Sequence, residues 1–123
     1  MRTMWTEPAA AVTPGRLKLW QALSTLFLDT EVGDDDFAYI ARVIQETGYS
    51  VTDAQSILWG EVYPALVPNL LCVAGEWAGW SDEWLLAHLR VRGRKARRPW
   101  GFLAREMEKQ WREVLRRLPP GYT

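Results

Sequence analysis

The sequence predicts an all-α fold, a compact single-domain bundle of roughly five to six helices with a Trp-rich helix–corner–helix at its centre. Three observations carry that expectation. No run alternates with period two over the length of a strand. Apolar residues recur at helical spacing, most regularly at Leu103, Met107, Trp111, Val114 and Leu118. The periodic segments are bounded by residues that start or stop helices, among them Thr13-Pro14, Gly48, Ser81 and Pro119-Pro120. A chain of 123 residues is of single-domain size and long enough to bury a core.

Taken in order, residues 1–12 are polar, Ala-rich and carry Pro8, which predicts a flexible arm. The helical domain spans 13–118, and 119–123 form a tail. Thr13 and Pro14 suit the N-cap and first position of a helix over roughly 14–28, whose apolar face holds Leu19, Leu23, Leu26 and Phe27. An acidic turn, Asp29 to Asp36, leads to a second helix capped by Gly33 or Asp34. Phe37, Ile40, Ala41 and Ile44 form its stripe, and Gly48 ends it. Thr52 and Gln55 have the spacing of a capping box for a third helix, which Pro64 should kink or end. Pro68 suits the opening of a fourth helix, running to Ala78.

The densest stretch is NLLCVAGEWAGWSDEWLLAHL, Asn69 to Leu89. Ala74 with Ala78 and Gly75 with Gly79 put small residues four apart, a groove that admits a neighbouring backbone. Gly79 then fits a helix C′ position and Ser81 the next N-cap, with Trp80 and Leu85 at the spacing of a hydrophobic staple. The fifth helix runs from 82 to about 91. A basic connector, 90–99, precedes the C-terminal helix, 100–118, whose face opposite the apolar stripe carries Arg105, Lys109, Arg112 and Arg116.

Charge is segregated along the chain. Fifteen basic and fifteen acidic residues cancel overall, yet Asp29 to Glu83 holds eleven acidic residues and one basic one, Arg42. Trp84 to Thr123 holds eleven basic and three acidic residues. The lone Cys72 permits no internal disulfide, no apolar h-region opens the chain, and no run is long enough to span a bilayer. A cytoplasmic protein with no membrane partner is the expectation.

Most catalytic constellations fail on inventory. One histidine, His88, and one cysteine leave a soft zinc site short of ligands, and no phosphate-binding glycine loop or nucleophile elbow occurs. Cys72 among Leu70, Leu71 and Val73 reads as an inert core thiol, and His88 as a residue at a helix C-terminus. No catalytic residue, metal or cofactor is expected. The carboxylates of the acidic turn read as helix caps and solvated charge rather than a cation site, because their spacing is not that of an EF-hand loop. Glu76, between Gly75 and Trp77, either meets an arginine such as Arg42 or faces a ligand. Trp20 and Trp111 belong to the core, whereas Trp77, Trp80 and Trp84 fit either a stapled corner or an interface.

The segments LWQALSTLFLDTE (19–31), EVYPALVPNLLCVAGEWAGW (61–80) and the WL at 84–85 resemble a family of small uncharacterised bacterial proteins, a domain of unknown function. The resemblance covers roughly residues 17–89 and implies a bacterial source and a stand-alone domain, without a transferable activity. The charge layout then suggests a protein-binding inhibitor, an immunity protein or phage-type inhibitor that blocks a toxin or other effector. Its partner-binding surface would comprise Asp29, Glu31, Asp34, Asp35, Asp36, Glu61, Glu76, Trp77, Trp80, Asp82 and Glu83. Two alternatives stand beside it. One is a structural or adaptor subunit that self-associates through the Trp corner. The other is nucleic-acid binding by Arg90, Arg92, Arg94, Lys95, Arg97 and Arg98, with Trp100 as a stacking group.

Overall fold

A computed structural model describes residues 12–27, 32–70, 80–92 and 96–123. The fold is all-α. Its elements are α1 (Pro14–Ser24) with a 3₁₀ turn (Thr25–Phe27), α2 (Asp34–Thr47), α3 (Val51–Ile57), a π-helical turn (Leu58–Val62), α4 (Tyr63–Leu70), α5 (Asp82–His88) and α6 (Phe102–Arg116). Among the described residues no helix is long and apolar enough to cross a membrane.

The start of α1 follows its sequence signal, with Thr13 Oγ1 accepting from the Arg16 N–H at 3.1 Å and Pro14 at N1. Its end comes earlier than residue 28. Ser24 and Thr25 donate their hydroxyls to the carbonyls of Gln21 and Ala22, each at 2.6 Å, and these local bonds accompany the tightening into a 3₁₀ turn. In α2, Gly33 is the N-cap and Asp36 Oδ2 accepts from the Gly33 N–H at 3.0 Å. Gly48 ends the helix at φ +81°, a left-handed conformation that costs glycine little.

Two expectations for the next helix are corrected. The N-cap is Ser50, whose side chain accepts from the Asp53 N–H at 3.0 Å, so no capping box forms at Thr52. Gln55 is occupied elsewhere, accepting from Trp111 Nε1 at 3.0 Å. Pro64 falls in the first turn of α4 without stopping the helical path, and Pro68 lies inside α4, not at its opening. The ladder widens into the π turn, where the Tyr63 N–H reaches the Leu58 carbonyl, and the chain stays helical through Pro64 and Pro68 to Leu70. Adding a residue to the turn just before a proline relieves the ring's clash with the preceding carbonyl. Leu58, Trp59, Val62, Tyr63 and Leu66 are all buried on this continuous rod, and that packing holds it together. The expected run of this helix to Ala78, with Cys72, lies outside the described residues.

Ser81 caps α5 by accepting from the Trp84 N–H at 3.1 Å, and the staple pair Trp80 and Leu85 are both buried. The helix stops at His88, because Leu89 turns to extended backbone. α6 begins at Phe102 behind Gly101, whose φ of +123° places Trp100 outside the helix. Of its predicted stripe, Met107, Trp111 and Val114 are buried, and Ala104 joins them. Leu103 is only half-buried, and Leu118 lies beyond the helix end, packed against the core from outside it. α1 lies at the centre, packed on α2, α5 and the π turn, while α6 covers α2 from the far side. Trp20 and Trp111 are the two largest fully buried side chains, in agreement with their core assignment.

Candidate functional site

The most constrained polar group among the described residues is Glu61, on the π turn. It is 4% exposed. Arg16 donates to it from both Nε, at 3.0 Å to Oε1, and Nη2, to Oε2. Trp20 Nε1 donates to Oε1 at 2.8 Å, and the backbone N–H of Arg92 donates to Oε2 at 2.9 Å. Four donors match the acceptor capacity of a carboxylate, and the guanidinium matches its charge. The same contact holds the Arg16 guanidinium above its ordinary range, through the hydrogen bond first. This corrects the placing of Glu61 on an anionic partner-binding surface. It is an internal tie joining α1, the π turn and the connector.

That tie positions the basic connector across the π turn. Besides the Arg92 bond, the Ala96 N–H donates to Ser56 Oγ at 3.3 Å. Gly60 makes the close approach possible, since a Cβ there would lie 2.9 Å from the Ala96 Cβ. Beside this strap opens a cleft of about 160 Å³. Gly60, Pro64 and Ala65 form one wall, His88, Arg90 and Arg92 line the other, and Glu61 lies between them. The His88 ring stacks on Trp84 at 3.9 Å between centroids, and its Nδ1 lies 2.8 Å from the Trp84 carbonyl. The His88 ring thus folds back along its own helix, while the C-cap is Leu89, whose N–H donates to the Leu85 carbonyl.

The remaining acidic residues are at the surface. Asp34, Asp35 and Asp36 occupy the first turn of α2 and Asp82 and Glu83 that of α5. Asp34 is 89% exposed and accepts from Arg117 Nη2 at 2.8 Å, while Arg117 also lies over the Phe37 ring at 5.2 Å. Gln21, in the last turn of α1, donates to the Trp80 carbonyl at 2.8 Å and to Asp82 Oδ1 at 2.7 Å. It thereby ties the start of α5 to the turn of α1 that precedes α2. Asp35 and Glu83 are exposed, with no hydrogen-bond or ion-pair partner among the described residues. Trp80 is 7% exposed, so its ring belongs to the core rather than to the surface proposed from sequence. Asp29, Glu31, Glu76 and Trp77 lie outside the described residues, as do Arg94 and Lys95 of the basic run.

The three glutamates of the basic half are all paired within it. Arg98 and Arg112 meet Glu108 at 3.1 and 3.3 Å, Lys109 meets Glu106, and Arg116 and Arg117 meet Glu113. Among the described residues one ion pair, Arg117–Asp34, crosses from this half to the acidic stretch. Arg90, Arg92, Arg97 and Arg105 meet no carboxylate there. Sequence reasoning gave the Arg90–Arg98 run and Trp100, but not their setting. Trp100 is 98% and Phe102 64% exposed. Among the described residues, no group of three or more His, Cys, Asp or Glu side chains is placed to hold a metal ion.

Fold and site together define a small all-α domain in which a buried Glu61 network holds Arg92 against the π turn. The chain belongs to the family described as domain of unknown function DUF7079, whose model matches residues 14–117. The match runs beyond residue 89, so the connector and α6 are part of the family domain. No curated protein and no solved structure matches the chain.

Proposed function

We propose that this domain is a protein-binding inhibitor from a bacterium, of the immunity-protein or phage-inhibitor kind, which blocks a basic partner through its anionic end. The supporting observation is the missing neutralisation. Arg117–Asp34 is the one described ion pair between the halves, while Asp35, Asp82 and Glu83 meet no cation among the described residues. Helix dipoles account for some acid in these two first turns, and the carboxylates left without a cation add to the negative charge that a partner would meet. Such a surface steers association with a basic cleft, of the sort that proteins acting on nucleic acids possess. With Trp80 in the core, the aromatic anchor falls to Trp84, which is half-buried. The test is affinity capture from the native host, with the captured protein then titrated against the Asp35→Lys/Glu83→Lys variant. Neither side chain has a structural task among the described contacts. Capture of a basic protein whose association slows on the order of tenfold with the variant supports the reading. Unchanged association removes the anionic end from the interface.

A second reading has its own observation. Trp100 stands almost fully exposed after Arg97 and Arg98, an arrangement suited to stacking on a base of single-stranded nucleic acid. Salt-sensitive binding of an oligonucleotide, lost in Trp100→Ala, would favour it.

A further inference from the structure

We propose that the cleft beside the π turn is a phosphate-binding site. Its charge is the first argument. The one carboxylate lining it, Glu61, is matched by Arg16 and has both oxygens filled by four N–H donors. What remains toward the cleft is cationic: Arg90 and Arg92, with no carboxylate in ion-pair range among the described residues, beside the His88 ring. Arg98, Arg112, Arg116 and Arg117 have carboxylates of their own, whereas the two cleft arginines, like Arg97 and Arg105, have none among the described residues.

The second argument is pre-organisation. Arginines on a free loop lose much of their contact energy in ordering the loop. Here the backbone carrying them is fixed by the Leu89 N–H to Leu85 carbonyl bond at 2.9 Å, the Arg92–Glu61 bond and the Ala96–Ser56 bond. Gly60 admits the strap where any side chain would meet Ala96. His88 is held by its stack on Trp84, and with Nδ1 engaged its Nε2 has no partner among the described residues. π turns of this kind occur frequently at functional sites.

Donor number then selects the ligand. Two guanidiniums offer more N–H groups than a carboxylate can accept, and they suit the three or four oxygens of a phosphate. Pro64 and Ala65 give the cleft an apolar wall for the carbon part of a phosphate ester. The phosphate group has two sources with the same chemistry, a small phosphomonoester or the backbone of a nucleic acid.

The experiment is an amide NMR titration of the intact chain at constant ionic strength, with inorganic phosphate in one arm and a thymidylate oligonucleotide in the other. Saturable shifts at Gly60, His88, Arg90 and Arg92 are expected, weakened at least about tenfold in Arg90→Gln/Arg92→Gln. That variant keeps the Arg92 N–H bond to Glu61, so it should retain the fold, which its unperturbed core amide spectrum would verify. Saturation by phosphate alone assigns the site to small phosphate ligands. Oligonucleotide saturation that phosphate cannot reproduce, and that Trp100→Ala weakens, assigns it to a phosphodiester backbone. Absence of saturable shifts at the cleft with both probes overturns the proposal, as does equal affinity of the double variant.

Discussion

The Trp20 indole donates its N–H to Glu61 at 2.8 Å, across 41 residues of sequence and inside the core. The bond couples the largest buried side chain of α1 to the one carboxylate that the π turn takes out of water. A buried charge is tolerable only when paired and fully hydrogen-bonded, and Arg16 and the Arg92 N–H complete that requirement.

Glu61→Ala should therefore be the costliest of the acidic substitutions. It leaves the Arg16 guanidinium and the Trp20 N–H without their acceptor, a loss of about 3–5 kcal/mol. Glu61→Gln keeps one acceptor oxygen and should fall between that value and wild type. Urea unfolding measures both, and near-wild-type stability of Glu61→Ala would show that the network carries little energy.

Gly60 faces Ala96 closely enough that one methyl group displaces the strap. Gly60→Ala should cost about 1–3 kcal/mol and open the connector to trypsin, which cleaves after its arginines. Ala96→Gly in the same chain should restore both stability and protease resistance. Failure of that rescue would mean that the Gly60 effect arises from backbone conformation, not from contact.

The tryptophans should separate cleanly. Trp111→Ala removes a fully buried ring and should cost about 3–5 kcal/mol. Trp100→Ala, at an exposed site, should change stability by less than about 0.5 kcal/mol. Thermal unfolding of the two variants provides the comparison, and a large loss from Trp100→Ala would place that ring in a packed contact.

The Lys18–Glu46 pair at 2.9 Å predicts a small acid-side effect. Hydrogen bonding and attraction from Lys18 hold the Glu46 carboxyl below its usual value of 4.5. A depressed folded-state pKa contributes stability above the unfolded value, and that contribution disappears as pH falls through the folded one. Glu46→Gln should thus flatten the stability profile below about pH 4.5, weakly and more so at low salt. An NMR titration of the Glu46 carboxyl, unshifted from 4.5 in the native protein, would contradict the assignment.

Local signals in the sequence were legible where neighbours in sequence do the physical work. Thr13, Gly48 and Ser81 act on N–H and carbonyl groups a few residues away, and the Met107, Trp111 and Val114 stripe follows from helical period alone. The sequence points to Thr52 as the cap and passes over Ser50, and the distant Trp111 claims the Gln55 that a Thr52 cap would have used. Propensity predicts that Pro64 kinks or ends the helix. The ladder is interrupted there by a π turn, and the buried residues on both sides, which propensity omits, keep the helix going. Glu61 was the largest error. Its apolar setting, ILWGEVYPAL, hinted at burial, but Arg16, Trp20 and Arg92 lie 31 to 45 residues away and only the fold brings them in. Trp100 was expected to open the last helix, and the left-handed Gly101 leaves it outside.

The most direct test of the anionic-end account is the association rate of the captured host partner with wild type and Asp35→Lys/Glu83→Lys, measured from low to high salt. The account predicts fast association for wild type that falls steeply with salt, and slow, nearly salt-independent association for the variant. Identical rates and salt slopes for both proteins would contradict it.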